Sequence, residues 1–306
     1  GDVTSTSEIV LPSFDDLLQC NDVLNAPEVY SCFSAQAVRA ADRLGKFVTI
    51  TVWETLPKHI TRWLPPYAAN IRYVIQRVNL FLPVTERAAA YLQSLGVRGD
   101  RMDVLSPGVR LDRFVPADNA HDGCRVLFVG RLVPEKGVRD LLVAFAQAVR
   151  TNSHLELWIC GRGPLQREVE IAARTLPIRY LGYVPRTNLP ALYAQADIFA
   201  LPSKNLVRYG LTLWEEQFGF SLVEAMAAGL PIVATTSGAI PEVIGPNNYL
   251  VAQGDIPALT RALIELSSDA KIRRLLGRYN RMRAEERFDA FVQARRLENL
   301  LQKRLF

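Results

Sequence analysis

The stretch Glu216-Gln-Phe-Gly-Phe-Ser-Leu-Val-Glu224, followed at once by Ala-Met-Ala-Ala-Gly-Leu-Pro-Ile-Val-Ala234, places a helix pattern directly before a strand pattern. We predict a helix over 219–228, because apolar residues recur at helical spacing: Phe220, Val223, Ala227 and Leu230. Pro231 then leads the apolar run 232–234, which is typical of a buried parallel strand. A helix that runs into a buried strand indicates an α/β fold.

Two carboxylates of this stretch, Glu216 and Glu224, lie on either side of the predicted helix N-terminus. Glu216 falls in the loop before the helix, and Glu224 falls on its second turn. A helix N-terminus attracts anions, and a carboxylate beside it accepts hydrogen bonds from hydroxyl groups. The pattern indicates a site for a phosphorylated, hydroxyl-rich ligand, although the pair alone is more often two solvated glutamates.

Strand and helix patterns alternate along most of the chain, which predicts parallel, doubly wound sheets with helices on both faces. Before residue 106 the predicted strands are Ile9–Leu11, Val29–Cys32, Phe47–Val52, Leu80–Val84 and Met102–Leu105. The helices there are Ala35–Leu44, Pro66–Gln76 and Glu86–Leu95, the last one capped by Thr85. The later strands are Val126–Val129, Leu155–Cys160, Ile178–Leu181, Ile198–Leu201, Ile232–Thr235 and Tyr249–Val251. The clearest later helices are Val138–Val149, Ile256–Ser267, Ala270–Arg283 and Phe288–Phe306.

The turn-rich segment Ser106–Gly123 interrupts this alternation and predicts a domain boundary. We therefore expect an N-terminal Rossmann-like domain over 1–115, a C-terminal one over 116–287 and a terminal helix over 288–306. Apolar residues at helical spacing predict that this helix packs on the protein body: Phe288, Phe291, Ala294, Leu297, Leu300 and Leu301.

Composition limits the classes of function. The 306 residues are 49% hydrophobic and 22% charged with a net charge of +5, which fits a globular protein. Basic residues concentrate between Lys271 and Arg304 without interleaved aromatics, so we expect no nucleic-acid partner and leave a peripheral membrane contact open. No long apolar run suggests a transmembrane helix. The cysteines lack metal-site spacing, so we expect no metal, and Cys124 and Cys160 are expected to be buried in a cytoplasmic protein.

Four motifs, in this order along the chain, resemble those of retaining glycosyltransferases of family 4, the glycosyl transferases group 1. They are Val126-Leu-Phe-Val-Gly-Arg-Leu-Val-Pro-Glu-Lys-Gly137, Ile159-Cys-Gly-Arg-Gly-Pro164, Ala196-Asp-Ile-Phe-Ala-Leu-Pro-Ser203 and the stretch that ends at Glu224. The resemblance implies a GT-B fold, in which two Rossmann-like domains face each other across a cleft and the terminal helix packs back on the N-terminal domain. The N-terminal domain is expected to be shortened, because nothing before Ile9 matches the family's first strand and Gly-rich loop.

The resemblance also implies transfer of a sugar from a nucleotide-diphosphate sugar to an acceptor hydroxyl, with retention at the anomeric carbon. Its catalytic residues map onto Glu216, Arg131 and Lys136. The two cations stabilise the diphosphate, so we expect no obligatory metal or other cofactor. The donor-binding residues map onto Gly130, Gly161, Tyr183, Phe218, Gly219, Phe220, Ser221, Leu222 and Glu224. The segment 205–215, which includes Trp214, is predicted to form a loop over the sugar pocket.

Departures from the family's pattern in the N-terminal domain keep alternatives open. Trp53 and Glu54 stand where many members have His and then Asp, and His59 is a weak candidate to replace that His. The acceptor, whether a sugar, a lipid or a small molecule, is not indicated by these residues. Because the family's first Gly-rich loop has no match here, a nucleotide-binding remnant without transferase activity is the main alternative. A sugar-nucleotide epimerase of GT-B fold is a weaker one.

Overall fold

The computed structural model describes residues 21–116 and 122–305. The predicted strand Ile9–Leu11 and part of the predicted boundary segment, 117–121, lie outside the described residues. The chain divides into two compact units. Of the described residues, the first unit contains those up to Ser106, Val207–Leu213 and those from Arg296 onward. The second unit contains the described residues of Pro107–Leu206 and of Trp214–Arg295.

The first unit holds a parallel sheet of three strands in the order β1-β2-β3. Its elements are β1 (Val23–Pro27), α1 (Cys32–Leu44), β2 (Phe47–Val52), α2 (Tyr67–Arg77), β3 (Leu80–Pro83) and α3 (Glu86–Ser94). Thr85 caps α3, since its side chain accepts a hydrogen bond from the backbone N–H of Ala88 at 3.1 Å, as predicted. The predicted strand Phe47–Val52 is confirmed to the residue.

The predicted strand Val29–Cys32 is wrong, because the strand lies earlier, at β1. Glu28 has a φ of 61° and turns the chain out of the extended conformation directly after β1. Ser31 then caps α1 through a hydrogen bond from the N–H of Phe33 to its Oγ, at 3.2 Å. The apolar side chains that suggested a strand therefore lie in the turn between β1 and α1.

The predicted strand Met102–Leu105 is also wrong. In the described chain this segment makes one bridge to β3, between Phe81 and Met102. The backbone N–H of Asp103 donates to Phe81 and that of Leu105 donates to Pro83, at 3.0 and 2.9 Å. The pairing is too short for a strand, because Pro107 follows within two residues and has no N–H to continue it.

The Glu28 carboxyl group is held at the ends of β1 and β2. Its Oε1 accepts hydrogen bonds from the backbone N–H groups of Trp53 and Glu54, at 2.8 and 3.1 Å. Its Oε2 is buried without a hydrogen-bond partner. Burial raises the pKa of Glu28 to about 8, the bond from Trp53 opposes the rise, and the nearby Glu54 carboxylate adds to it. Glu28 is therefore largely protonated in the folded protein at neutral pH.

We expect Glu28→Gln to stabilise the protein above neutral pH. In the unfolded state Glu28 releases its proton around its ordinary pKa of 4.5, whereas in the folded state it keeps the proton up to about pH 8. The free energy of unfolding of the wild type therefore falls as the pH rises from 4.5 to about 8. The amide keeps the acceptor oxygen but does not titrate. The gain at pH 8.5 should be at least about 1.4 kcal/mol, which corresponds to one pKa unit. Urea unfolding at pH 5, 7 and 8.5 measures it, with the exposed Glu298→Gln as the control. Parallel pH dependence of Glu28→Gln and wild type would contradict the assignment.

The second unit holds a parallel sheet of six strands in the order β11-β10-β7-β4-β5-β6. Its strands are β4 (Cys124–Val129), β5 (Leu155–Cys160), β6 (Ile178–Gly182), β7 (Ile198–Leu201), β10 (Ile232–Thr235) and β11 (Tyr249–Val251). A separate two-stranded hairpin consists of β8 (Leu206–Arg208) and β9 (Leu211–Trp214). The predicted strands Leu155–Cys160, Ile198–Leu201, Ile232–Thr235 and Tyr249–Val251 are confirmed to the residue.

The helices of this unit follow the strands, as the alternation predicted. They are α4 (Val138–Thr151), α5 (Gln166–Ala172), α6 (Leu189–Ala194), α7 (Phe220–Ala227), α8 (Ile240–Ile244), α9 (Ile256–Ser268) and α10 (Ala270–Phe288). The terminal helix α11 (Ala290–Leu305) begins in this unit, and its residues from Arg296 onward belong to the first unit. The chain leaves β4 to one side of the sheet through β5 and returns to the other side at β7, which is the doubly wound Rossmann order. The carboxyl ends of β4 and β7 therefore form the point where ligands of such sheets bind.

The terminal helix differs from its prediction. The chain breaks at Asp289, which has ψ 128° and whose carboxylate caps α11 through the N–H of Phe291 and Val292. Phe288 is buried, but Phe291 is 60% exposed, so the predicted apolar stripe is not buried along its length. In the described residues no helix is both long and apolar enough to span a membrane. Cys124 and Cys160 are buried, as predicted.

Candidate active site

The candidate site is built where β4 and β7 end side by side. After β4, the chain forms a short 3₁₀ turn, Pro134–Lys136, and enters α4 at Gly137. After β7 it passes Ser203, which is fully buried. Glu216, which precedes α7, is also buried. Three segments that are distant in sequence thus bring a cation, a hydroxyl group and a carboxylate to one point.

Lys136 and Glu216 form a direct ion pair. The Nζ of Lys136 lies 2.6 Å from Oε2 of Glu216, and the Oγ of Ser203 donates to the same oxygen at 2.8 Å. The side chains of Lys136 and Glu216 are 13% and 7% exposed. The sequence predicted both residues as catalytic, and the structure brings them into contact.

Backbone contacts fix the position of Glu216. Its N–H donates to Oγ of Ser237 at 3.3 Å, and its carbonyl accepts from the N–H of Ala239 at 2.8 Å. A Cβ at Gly238 would lie 2.1 Å from the Glu216 carbonyl oxygen, so only glycine permits this approach. The turn after β10 therefore holds the carboxylate in place.

Gly137 holds the end of β4 against the end of β7. It has a φ of +68°, and a Cβ there would lie 1.8 Å from the carbonyl oxygen of Pro202. The site therefore depends on a close approach of two backbones that leaves no room for a side chain.

We expect Gly137→Ala to destabilise the second unit by about 1–3 kcal/mol from overpacking, in addition to the cost of its backbone conformation. Gly254→Ala is the matched control, because Gly254 has a similar φ of +78° with nothing within 4 Å of an added Cβ. The difference in unfolding free energy between the two variants isolates the contact with Pro202. Equal losses in both would show that the contact costs nothing.

Glu224 occupies a second buried position on α7. The Tyr193 hydroxyl donates to its Oε2 at 2.9 Å. Burial raises the pKa of Glu224, and the hydrogen bond from Tyr193 opposes that rise. Tyr193 is itself fully buried, so it fixes the orientation of the carboxylate that the sequence predicted to hold ribose hydroxyls.

The remaining predicted residues differ in exposure. The side chain of Arg131 is 65% exposed and lies 3.8 Å from Glu135, whereas Lys136 is mostly buried. Tyr183 is 63% exposed and faces the Arg162 guanidinium at 5.8 Å. The structure thus presents Arg131 and Tyr183 at the surface of the second unit.

The glycines and the start of α7 form close turns. A Cβ at Gly161 would lie 1.8 Å from the carbonyl oxygen of Gly130, which brings the ends of β4 and β5 together. Gly219 is the N-cap of α7 and offers no side-chain cap, so the start of Phe220-Ser221-Leu222 has no capping group from that residue. The ring centroids of Phe218 and Phe220 lie 5.3 Å apart, and Phe218 is buried.

The prediction of a loop over 205–215 is wrong, because this segment forms the hairpin β8–β9. Leu206 to Arg208 and Leu211 to Trp214 pair around Tyr209 and Gly210, both at positive φ. Two residues at positive φ make the tight turn that hairpins favour. The strand-favouring residues Val207, Thr212 and Trp214 on either side of this Tyr-Gly pair are the signal that would have predicted it.

Glu54 and His59, the candidates from the N-terminal domain, lie close together in the first unit. Oε2 of Glu54 is 3.6 Å from Nδ1 of His59, and that nitrogen lies 2.9 Å from the Thr61 hydroxyl. Glu54 also accepts hydrogen bonds at Oε1 from the N–H groups of Thr55 and Leu56. Among the described residues no group of three or more His, Cys, Asp and Glu side chains is placed to bind a metal.

Comparison with known proteins identifies the family of this chain. The profile of the glycosyl transferases group 1 matches residues 114–283, more than half of the chain. The chain belongs to this family. The predicted family is thereby confirmed, and the prediction of a nucleotide-sugar glycosyltransferase is confirmed at the level of the family.

Two curated relatives are mannosyltransferases. The GDP-mannose-dependent monoacylated alpha-(1-6)-phosphatidylinositol monomannoside mannosyltransferase of Corynebacterium glutamicum is 28% identical over 80% of this chain and 68% of the relative. The GDP-mannose-dependent alpha-(1-6)-phosphatidylinositol monomannoside mannosyltransferase of Mycolicibacterium smegmatis is 31% identical over 66% of this chain. The chain spans 56% of the length of this second relative.

Solved structures share the fold. Anabaena HepE in complex with UDP and glucose superposes with a TM-score of 0.76 at 17% identity, over 95% of this chain and 81% of that one. Sucrose-phosphate synthase from Thermosynechococcus elongatus gives 0.74 at 18% identity, over 96% and 77%. The predicted GT-B fold with parallel α/β sheets is confirmed.

Proposed function

We propose that this protein is a GDP-mannose-dependent mannosyltransferase that retains the anomeric configuration. The Lys136–Glu216 pair at the carboxyl ends of β4 and β7 carries the proposal. The donor is inferred from the two curated relatives, both named as GDP-mannose-dependent. The chemistry is inferred from the site.

Lys136 supplies the charge that the leaving group needs. When the bond from the sugar to the diphosphate breaks, negative charge grows on the β-phosphate, and a positioned cation stabilises it in the transition state. Because Lys136 is largely removed from water, its attraction to that charge is stronger than at an exposed site. The exposed Arg131 adds a second cation on the turn after β4.

Glu216 is suited to hold the sugar and not to attack it. Its Oε2 already accepts hydrogen bonds from Lys136 and Ser203, which fixes the carboxylate. A fixed carboxylate accepts hydrogen bonds from sugar hydroxyls with little loss of entropy. In our proposal the leaving phosphate accepts the acceptor's proton on the face from which it departs, so the configuration is retained.

No metal is required in this proposal, because the cations are supplied by Lys136 and Arg131. Glu224, oriented by Tyr193, holds the ribose hydroxyls of the donor. The turns at Gly130 and Gly161 and the segment Phe218–Leu222 bring backbone groups close to the nucleotide. Tyr183 lines the base.

The acceptor we propose is a hydroxyl group of a glycolipid headgroup at a membrane surface. The support is that both curated relatives are named for phosphatidylinositol monomannosides, which are lipids. A peripheral contact of a cytoplasmic protein with anionic lipid fits the net charge of +5.

Transfer of labelled mannose tests the proposal. The protein is incubated with GDP-[¹⁴C]mannose and phosphatidylinositol monomannoside in mixed micelles, with and without EDTA. We expect a labelled lipid with an α-linked mannose by NMR and no loss of rate with EDTA. A β-linkage, or loss of activity that Mg²⁺ restores, would contradict retention or metal independence.

The remnant and the epimerase give different results in the same assay. A remnant would bind GDP and release no labelled product. An epimerase would convert GDP-mannose to another GDP-sugar without an acceptor. The relatives described above lend no support to either alternative.

A further inference from the structure

Trp214 contacts the site from the end of the hairpin. It is the last residue of β9, and the centroid of its ring lies 5.1 Å from the Nζ of Lys136. This distance is within the range for a cation above an aromatic face. Trp214 is half-buried. Lys136 thus has two partners, the carboxylate of Glu216 and the face of an indole.

The two partners act differently on the ammonium group. Glu216 neutralises the charge of Lys136, whereas an aromatic face attracts the ammonium and leaves its full charge available. In the proposed reaction the ammonium of Lys136 must also attract the diphosphate, while Glu216 stays fixed by Ser203 and accepts hydrogen bonds from the sugar. Trp214 is the partner that can hold the ammonium in place without neutralising its charge.

We propose that Trp214 is a positioning residue that keeps Lys136 directed at the diphosphate of the donor. The proposal rests on the proposed function, since it acts through Lys136. Trp214 is the last residue of β9, so the end of this strand supplies the aromatic face beside the cation.

Binding of GDP compared with GMP tests the proposal, because the β-phosphate is what distinguishes them. Isothermal titration of Trp214→Leu should show GDP affinity lower by about 3- to 30-fold, equivalent to about 0.7–2 kcal/mol, with GMP affinity unchanged. Trp214→Phe, which keeps an aromatic face, should recover most of the loss. UDP and UMP are titrated in parallel. Should Trp214→Leu fail to fold, Trp214→Met, which also lacks a ring, replaces it.

Two further variants separate the possible outcomes. Trp63→Leu removes an exposed tryptophan of the first unit and should leave both affinities unchanged. Lys136→Ala should weaken GDP binding and not GMP binding. If Lys136→Ala weakens GDP binding but Trp214→Leu does not, the positioning role is wrong while the proposed function stands. If Lys136→Ala leaves the affinity for GDP unchanged, Lys136 does not bind the diphosphate and the proposed function is wrong at that point. Equal weakening of GDP and GMP by Trp214→Leu would show a general structural role and overturn the proposal.

Discussion

Glu216→Ala is expected to abolish sugar transfer while leaving GDP binding intact or stronger. The Glu216 carboxylate is the group proposed to accept hydrogen bonds from the sugar hydroxyls. Its removal leaves the donor sugar without the group that holds it in place. It also releases Lys136 from its 2.6 Å ion pair, so that the diphosphate becomes the main anion near the ammonium. Transfer should fall by at least about 10³-fold, equivalent to roughly 4 kcal/mol of transition-state stabilisation.

Initial rates of mannose transfer and titration with GDP measure the two halves of this result. Glu298→Gln, an exposed change on α11, is the control for the loss of a carboxylate. Near-normal turnover in Glu216→Ala would contradict the role of Glu216. Loss of GDP binding together with transfer would show that the variant damages the nucleotide site as a whole.

Lys136→Ala is expected to slow transfer by about 10²–10³-fold, because removing one group that stabilises developing negative charge costs roughly 2.7–4 kcal/mol. The loss should appear in kcat as well as in GDP affinity, since the charge on the β-phosphate increases as the bond breaks. Lys271→Ala, at the exposed start of α10, controls for the loss of one positive charge.

Lys136→Ala should also lower stability, and this effect must be separated from the first. It leaves the buried Glu216 carboxylate without its cation, and breaking a buried pair in this way costs about 3–5 kcal/mol. The double variant Lys136→Ala/Glu216→Ala should recover part of that stability but none of the transfer. A double variant as unstable as Lys136→Ala would show that the ion pair is not the source of the loss.

The sequence predicted the elements with strong local patterns. Four strands of the large sheet were bounded to the residue, because each is a short apolar run between turn residues. Glu216 and Lys136 were found because their motifs resemble those of family 4 and lie next to predicted helix starts. Two predictions were wrong where the local pattern did not decide the structure. The predicted strand Val29–Cys32 is a turn that begins at Glu28, and the helical pattern near the C-terminus is divided at Asp289.

Three contacts of the site were not predicted, because they join parts of the chain that are distant in sequence. Ser203 is an ordinary residue after a strand until its hydroxyl reaches Glu216. Tyr193 lies on α6, 31 positions from the carboxylate it orients. Trp214 contacts Lys136 through the hairpin, whose strands are only three and four residues long.

The most direct test of the account is the thermal shift of the protein with GDP, UDP, ADP and GMP, in wild type and in Lys136→Ala. A ligand at about 100 times its dissociation constant stabilises the folded state by about 2.7 kcal/mol, which raises the unfolding temperature visibly. We predict that GDP gives the largest shift in wild type, and that Lys136→Ala removes most of the difference between GDP and GMP. No shift with any nucleoside diphosphate, or the same GDP shift in both proteins, would contradict a diphosphate site at the ends of β4 and β7.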